Sequence, residues 1–237
     1  MPDPSNQLAA TSPPANQPAI PVETPIVYDD EEQYDADETL QHYTTEAVLH
    51  YGIEMYLAGR RDLQALPSIK LCNHAIDQSA FASPDVMVVR PSARLPDDLR
   101  TYRVGEHGPA PFLTIEVLTS PIPQPIDVST QSRIYARMGV AEYILVDLAG
   151  VFMADRQRLC LRRFGPNGTW RDERDNDGGV TSALGFRIVI EDDGQVRIVD
   201  RLTGHRYLRP DEADRRLHNR ETQVEWLKEM LPRGEQV

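Results

Sequence analysis

The chain has 237 residues and a mass of 26.8 kDa, is 40% hydrophobic and 26% charged, and has a mean hydropathy of −0.47. This is the profile of one globular domain with tails. No segment approaches the ~18 consecutive apolar residues of a membrane-spanning helix. The N-terminus lacks the basic start and apolar stretch of a secretory signal. Two cysteines, Cys72 and Cys160, cannot build a disulfide framework or a four-ligand zinc site, so a reducing cytoplasm is the expected compartment. The net charge of −12 is unevenly placed: nine of the 37 acids lie in residues 1–40, which hold no Lys or Arg, leaving 28 acids against 25 bases in the body. A nearly neutral body leaves nucleic-acid binding open, because a local basic patch decides it.

In chain order, residues 1–25 carry seven prolines among Ser, Gln, Asn and Ala, a composition that cannot bury enough apolar surface to fold. The acidic run at 29–38 extends this leader to about residue 40. Thr44 or Thr45 is expected to cap a helix with Val48, Tyr51, Met55 and Tyr56 on one side, ending near Gly59. Extended pieces at 68–72 and 85–90 are expected to pair, and 91–109 reads as a long loop. Residues 112–118 (FLTIEVL) are apolar on both alternating faces, the mark of a strand covered on both sides. After Pro121, Pro123 and Pro125, residues 127–138 predict a helix ended by Gly139. Residues 142–147 (EYILVD) form another buried strand. Turns at Pro166-Asn167-Gly168 and Asp192-Asp193-Gly194 separate antiparallel strands near 151–155, 158–164, 186–191 and 195–200. Residues 211–231 predict a polar helix with Leu217, Val224, Leu227 and Leu231. The fold class is α/β or α+β: a leader at 1–40, a domain at 41–210, and a C-terminal helix and tail at 211–237.

The chemical anomaly is Glu116, the sole charge in FLTIEVL. A carboxylate inside a covered strand is costly unless it is paired, protonated or bound to a cation. Asp85 follows Ser83-Pro84 at the entrance of VMVV. Carboxylates on neighbouring strands can share a divalent ion, and Mg²⁺ suits two protein oxygens, several waters and a phosphate. The simpler alternative pairs Glu116 with one of 23 arginines and treats Asp85 as a turn residue.

The ordered set SPDVMVV, PFLTIEVLTS and Asp127-x7-Tyr135-ARMGVAEYILVD closely resembles the Uma-two family, restriction-endonuclease-like proteins in the PD-(D/E)XK nuclease superfamily. The similarity spans about residues 63–210. The resemblance implies a mixed sheet core flanked by helices, with a β-rich C-terminal extension. It implies that Asp85 and Glu116 are metal-binding acids, with the Val117 carbonyl as a further ligand, for Mg²⁺ or Mn²⁺. The superfamily's lysine, two residues after that Glu, is replaced by Leu118. The Uma-two lysine, placed on the following helix between an Asp and a Tyr, is replaced by Gln131, midway between Asp127 and Tyr135.

Glutamine donates hydrogen bonds but carries no charge. The protein has only two lysines, Lys70 and Lys228, and Lys70, expected beside the strand of Asp85, is the one substitute. A solvent-facing strand residue is the simpler account of Lys70. The scattered histidines show no helical metal spacing, and there is no phosphate-binding glycine loop or hydrolase elbow. The resulting expectation is an Mg²⁺-dependent DNA endonuclease with Asp85, Glu116, Gln131 and Lys70 at its catalytic centre and no membrane partner. The alternative is a degenerate nuclease fold that binds nucleic acid or a protein. A homodimer suits an enzyme that cuts both strands, although no residue encodes one.

Overall fold

Thr39 starts the first helix. In the computed structural model, which describes residues 39–73, 81–118 and 128–230, the Thr39 hydroxyl accepts the His42 N–H at 3.2 Å. Thr44 and Thr45, expected as caps, instead donate to the carbonyls of Leu40 and Gln41 at 2.8 Å. Residues 1–38 of the expected leader, His74, Thr119, Ser120, the prolines at 121, 123 and 125, and Asp127 lie outside the described residues, while α1 already begins at Leu40.

The chain runs through α1 (Leu40–Leu57), β1 (Gln64–Pro67), β2 (Lys70–Cys72), β3 (Phe81–Ala82), β4 (Val86–Val89), β5 (Thr101–Arg103) and β6 (Leu113–Leu118). It continues with α2 (Val128–Met138), β7 (Glu142–Asp147), β8 (Leu159–Phe164), β9 (Trp170–Glu173), β10 (Val180–Thr181), β11 (Phe186–Ile190), β12 (Val196–Asp200) and α3 (Pro210–Met230). Six strands form one sheet in the order β1-β4-β6-β7-β8-β9, with β6 and β7 parallel and every other neighbour antiparallel. The parallel pair is joined through α2, as a crossover requires. This is the α+β mixed sheet expected.

The alternation of β6 divides the core. Leu113, Ile115 and Val117 pack with Val48, Leu49 and Ile53 of α1, while Leu118 packs with Ile134, Tyr135 and Met138 of α2. The two helices therefore cover opposite faces. A sheet β10-β11-β12 closes the α1 side, and a sheet β3-β2-β5 covers the α2 side. The buried stripe of α1 is Val48, Leu49, Gly52, Ile53 and Leu57, not the expected Tyr51 and Met55. Gly52 is required at this crossing, because a Cβ there would stand 2.6 Å from Ile198 Cγ1. Gly139 ends α2 with φ +85°, as its placement predicted.

Several expectations are corrected. Residues 68–72 do not pair with 85–90: β1 takes the place beside β4, and β2 turns away at Ser68 (φ 41°) into the second sheet. The expected loop at 91–109 contains β5, whose Tyr102 is fully buried. Residues 151–155 are not a strand. The Asp147 carboxylate accepts the N–H groups of Gly150, Phe152 and Met153 at 2.7, 2.7 and 3.1 Å, holding a turn where a ladder was expected. Trp170–Glu173 adds an edge strand. No helix among the described residues is long and apolar enough to cross a membrane.

Candidate active site

Strand pairing brings the two acids together. The β4–β6 ladder ends at Val86 opposite Ile115, so one further step sets Asp85 against Glu116. The Val117 N–H, left beyond the end of β4, donates to Asp85 Oδ2 at 2.6 Å. In extended backbone the N–H and C=O of one residue leave by the same edge, so the Val117 carbonyl also faces Asp85. On the α2 face, Tyr135 donates its hydroxyl to Glu116 Oε1. Ser132, three residues earlier on α2, accepts from Arg162 Nη1 at 2.6 Å, and its carbonyl accepts from Trp170 Nε1 at 2.9 Å. These bonds dock the helix on β8 and β9 and so fix Tyr135 relative to β6.

Glu116 has no cationic side-chain partner among the described residues, and Asp85 has no Lys or Arg. The arginine pairing that would have made Glu116 merely structural is not found there. Burial, and then the neighbouring Asp85 carboxylate, push the Glu116 carboxyl well above the usual carboxylate range, against the hydrogen bond from Tyr135. Burial and then Glu116 raise the Tyr135 phenol, so it remains a donor. Two carboxylates opposed in register, with no Lys or Arg counter-charge among the described residues and beside a backbone carbonyl, form the hard oxygen donor set that a divalent cation fits. The residues present are therefore suited to a divalent cation.

Residues 26–191 match the model of the Uma2 family, described as "Putative restriction endonuclease". The chain belongs to the Uma2 family. The match covers most of the ordered core. No curated protein matches the chain. Among solved structures, the chain is similar to a putative nuclease of DUF820 from Anabaena variabilis, at 18% identity, with 60% of this chain and 72% of that chain covered and a TM-score of 0.44.

Within this Uma2 chain, the β4–β6 register and the Val117 N–H bond set Asp85 beside Glu116 and Val117. Gln131 is half-buried on α2, one turn before Tyr135 and so on the helix face that meets Glu116. Lys70 lies on β2 in the second sheet, with Nζ 4.3 Å from the centre of the Phe81 ring. Two residues missed in sequence join Asp85. His42 Nε2 is 3.1 Å from Asp85 Oδ1, and Glu46 completes a group whose ligand atoms lie within 4.8 Å of one another. Their signal was present as a His-x-x-x-Glu spacing on α1, visible only when carboxylates are counted with histidines. Two surface depressions of about 1000 and 830 Å³ are lined from the C-terminal strands and contain neither Asp85 nor Glu116.

Proposed function

We propose that this Uma2 protein is a metal-dependent DNA endonuclease whose cation is held by Asp85, Glu116 and the Val117 carbonyl. The observation that carries the reading is the facing pair Asp85 and Glu116 without a Lys or Arg counter-charge among the described residues. A divalent cation bound there supplies charge that offsets the negative charge developing on a phosphodiester, and it acidifies water. The protein's own residues supply the frame. The Val117 N–H orients Asp85, and the Tyr135 hydroxyl orients Glu116 while leaving its second oxygen to other partners. Gln131 can position water or a phosphate oxygen by hydrogen bonding but brings no charge. Lys70 would have to leave Phe81 to serve as the missing cation.

One observation favours a second reading. The helix position at which the family resemblance implies a lysine holds Gln131, which suits a nuclease fold that binds nucleic acid or a protein without cutting. A Mn²⁺-dependent plasmid-nicking assay on wild type, Asp85→Ala and Gln131→Lys separates the two. Nicking by wild type that vanishes in Asp85→Ala is the result expected of the endonuclease. Silence of wild type with activity in Gln131→Lys supports the binding module. Nicking by wild type that persists undiminished in Asp85→Ala overturns the assignment of the site.

A further inference from the structure

We infer that the chain carries a nitrogen-containing cation position, formed by His42 Nε2, a Glu46 carboxylate oxygen and Asp85 Oδ1, that takes a transition metal ion of the Co²⁺ or Zn²⁺ kind. It shares Asp85 with the site above but does not involve Glu116. His42 and Glu46 stand one turn apart on α1 and so project from the same face. Asp85 arrives from the start of β4, 43 residues after His42. The three ligand atoms lie within 4.8 Å of one another. The His42–Asp85 separation of 3.1 Å is near the ~3 Å spacing of ligands that share a metal ion at bond lengths of about 2.0–2.2 Å. His42 and Asp85 are buried and Glu46 is half-buried.

The surroundings hold these ligands in place. Ser68 is strained into the left-handed region at φ 41°, and from there it serves two members of the group. Its N–H donates to the Asp85 carbonyl at 2.8 Å, and its hydroxyl donates to Glu46 Oε1 at 2.6 Å. Outer contacts of this kind orient metal ligands. The charge balance points the same way: the carboxylates of Glu46 and Asp85 converge on one imidazole. A mixed imidazole and carboxylate donor set selects Zn²⁺, Co²⁺ or their neighbours over Mg²⁺, which prefers oxygen alone. Three protein ligands leave a coordination position open, the pattern of a zinc site that meets substrate.

The test is calorimetric titration of the full chain with Co²⁺ and separately with Mg²⁺, with the visible absorption of Co²⁺ recorded as a report on its ligands. The variants are His42→Asn, Glu46→Gln and Glu116→Gln, each checked for native circular dichroism. Loss of a ligand is expected to weaken Co²⁺ binding by about tenfold or more in His42→Asn and Glu46→Gln, with a changed absorption band and little change in Mg²⁺ binding. Glu116→Gln is expected to weaken Mg²⁺ and leave the Co²⁺ band in place. Co²⁺ affinity and absorption that do not respond to His42→Asn or to Glu46→Gln overturn the inference while leaving the Asp85–Glu116 reading intact. Co²⁺ binding through His42 with no Mg²⁺ binding supports the inference and counts against that reading. Absence of Co²⁺ binding to the wild type overturns the inference outright.

Discussion

Tyr135 donates its hydroxyl hydrogen to Glu116, tying α2 to β6 at the carboxylate itself. The helix that carries Gln131 is therefore held in register with the strand that carries the acid. Helix position and carboxylate orientation become one geometric problem, solved by a single buried phenol.

Tyr135→Phe removes that donor without emptying the core. The expected outcome is a loss of about 1 kcal/mol in metal-free stability, the usual worth of one hydrogen bond. A smaller Mn²⁺-induced rise in melting temperature should accompany it, because Glu116 loses its orientation. Urea unfolding and thermal melts with and without Mn²⁺ measure both. An undiminished metal response would show that the phenol does not position Glu116.

A cation that binds only the native state stabilises it by mass action, by about 2.7 kcal/mol at a hundredfold excess over Kd. Glu116→Gln should abolish the stabilisation by Mg²⁺ while leaving a folded protein, because the amide removes the charge with little change in volume. Thermal melts across an Mg²⁺ titration provide the check, and an unchanged shift in the variant would sink Glu116 as a ligand.

Gln131→Lys places an ammonium on the helix face of Tyr135. Adding a charge that stabilises the transition state is worth about a hundredfold or more in rate. Nicking by the variant should exceed that of wild type by that order in parallel assays. Equal rates would mean that position 131 does not reach the reacting phosphate.

The C-terminal helix is docked by ion pairs. Arg197 bonds Glu191 at 2.8 Å and Glu212 at 2.5 Å, and Arg209 bonds both Glu191 and Asp193. The hydrogen bond from Arg197 lowers the Glu212 carboxyl to about 2, from an ordinary value of 4.5. A depressed carboxyl contributes stability that is fully present above 4.5 and is lost as the pH falls toward about 2. Glu212→Gln should therefore be less stable than wild type at neutral pH, with the gap closing through that window. Urea unfolding at a series of pH values measures it, and a gap that stays constant would exclude the linkage.

Gly52→Ala puts a methyl group against Ile198 Cγ1 and Cβ. Overpacking costs about 1–3 kcal/mol, whereas the gain in helix propensity is at most about 1 kcal/mol. The variant should melt lower than wild type. A higher melting temperature would show that α1 and β12 can separate freely.

The strands of the two acids were legible in sequence because both lie in short apolar segments, where one charge stands out. FLTIEVL and EYILVD became adjacent parallel strands, and the helix between them ended at Gly139 as its backbone freedom predicted. The pairing of 68–72 with 85–90 was misread because the strand beside β4 ends at Pro67 and the chain turns at Ser68, whose positive φ of 41° a serine does not announce. The strand at Thr101–Arg103 was hidden inside a polar, proline-punctuated segment, since a three-residue strand has too few positions to show alternation.

What the residues in order determined about this protein is its element types, the anomaly at Glu116 and the candidate partner at Asp85, because each is a property of local composition or spacing; the resemblance to a family added the replacement at Gln131. The tertiary structure alone decided that His42 and Glu46 join Asp85, that Tyr135 holds Glu116, and that Lys70 faces Phe81 in another sheet. Those contacts arise where a helix N-terminus, a strand entrance and a crossover helix converge. That convergence depends on which sheet edge each segment occupies, and no local pattern of residues encodes it.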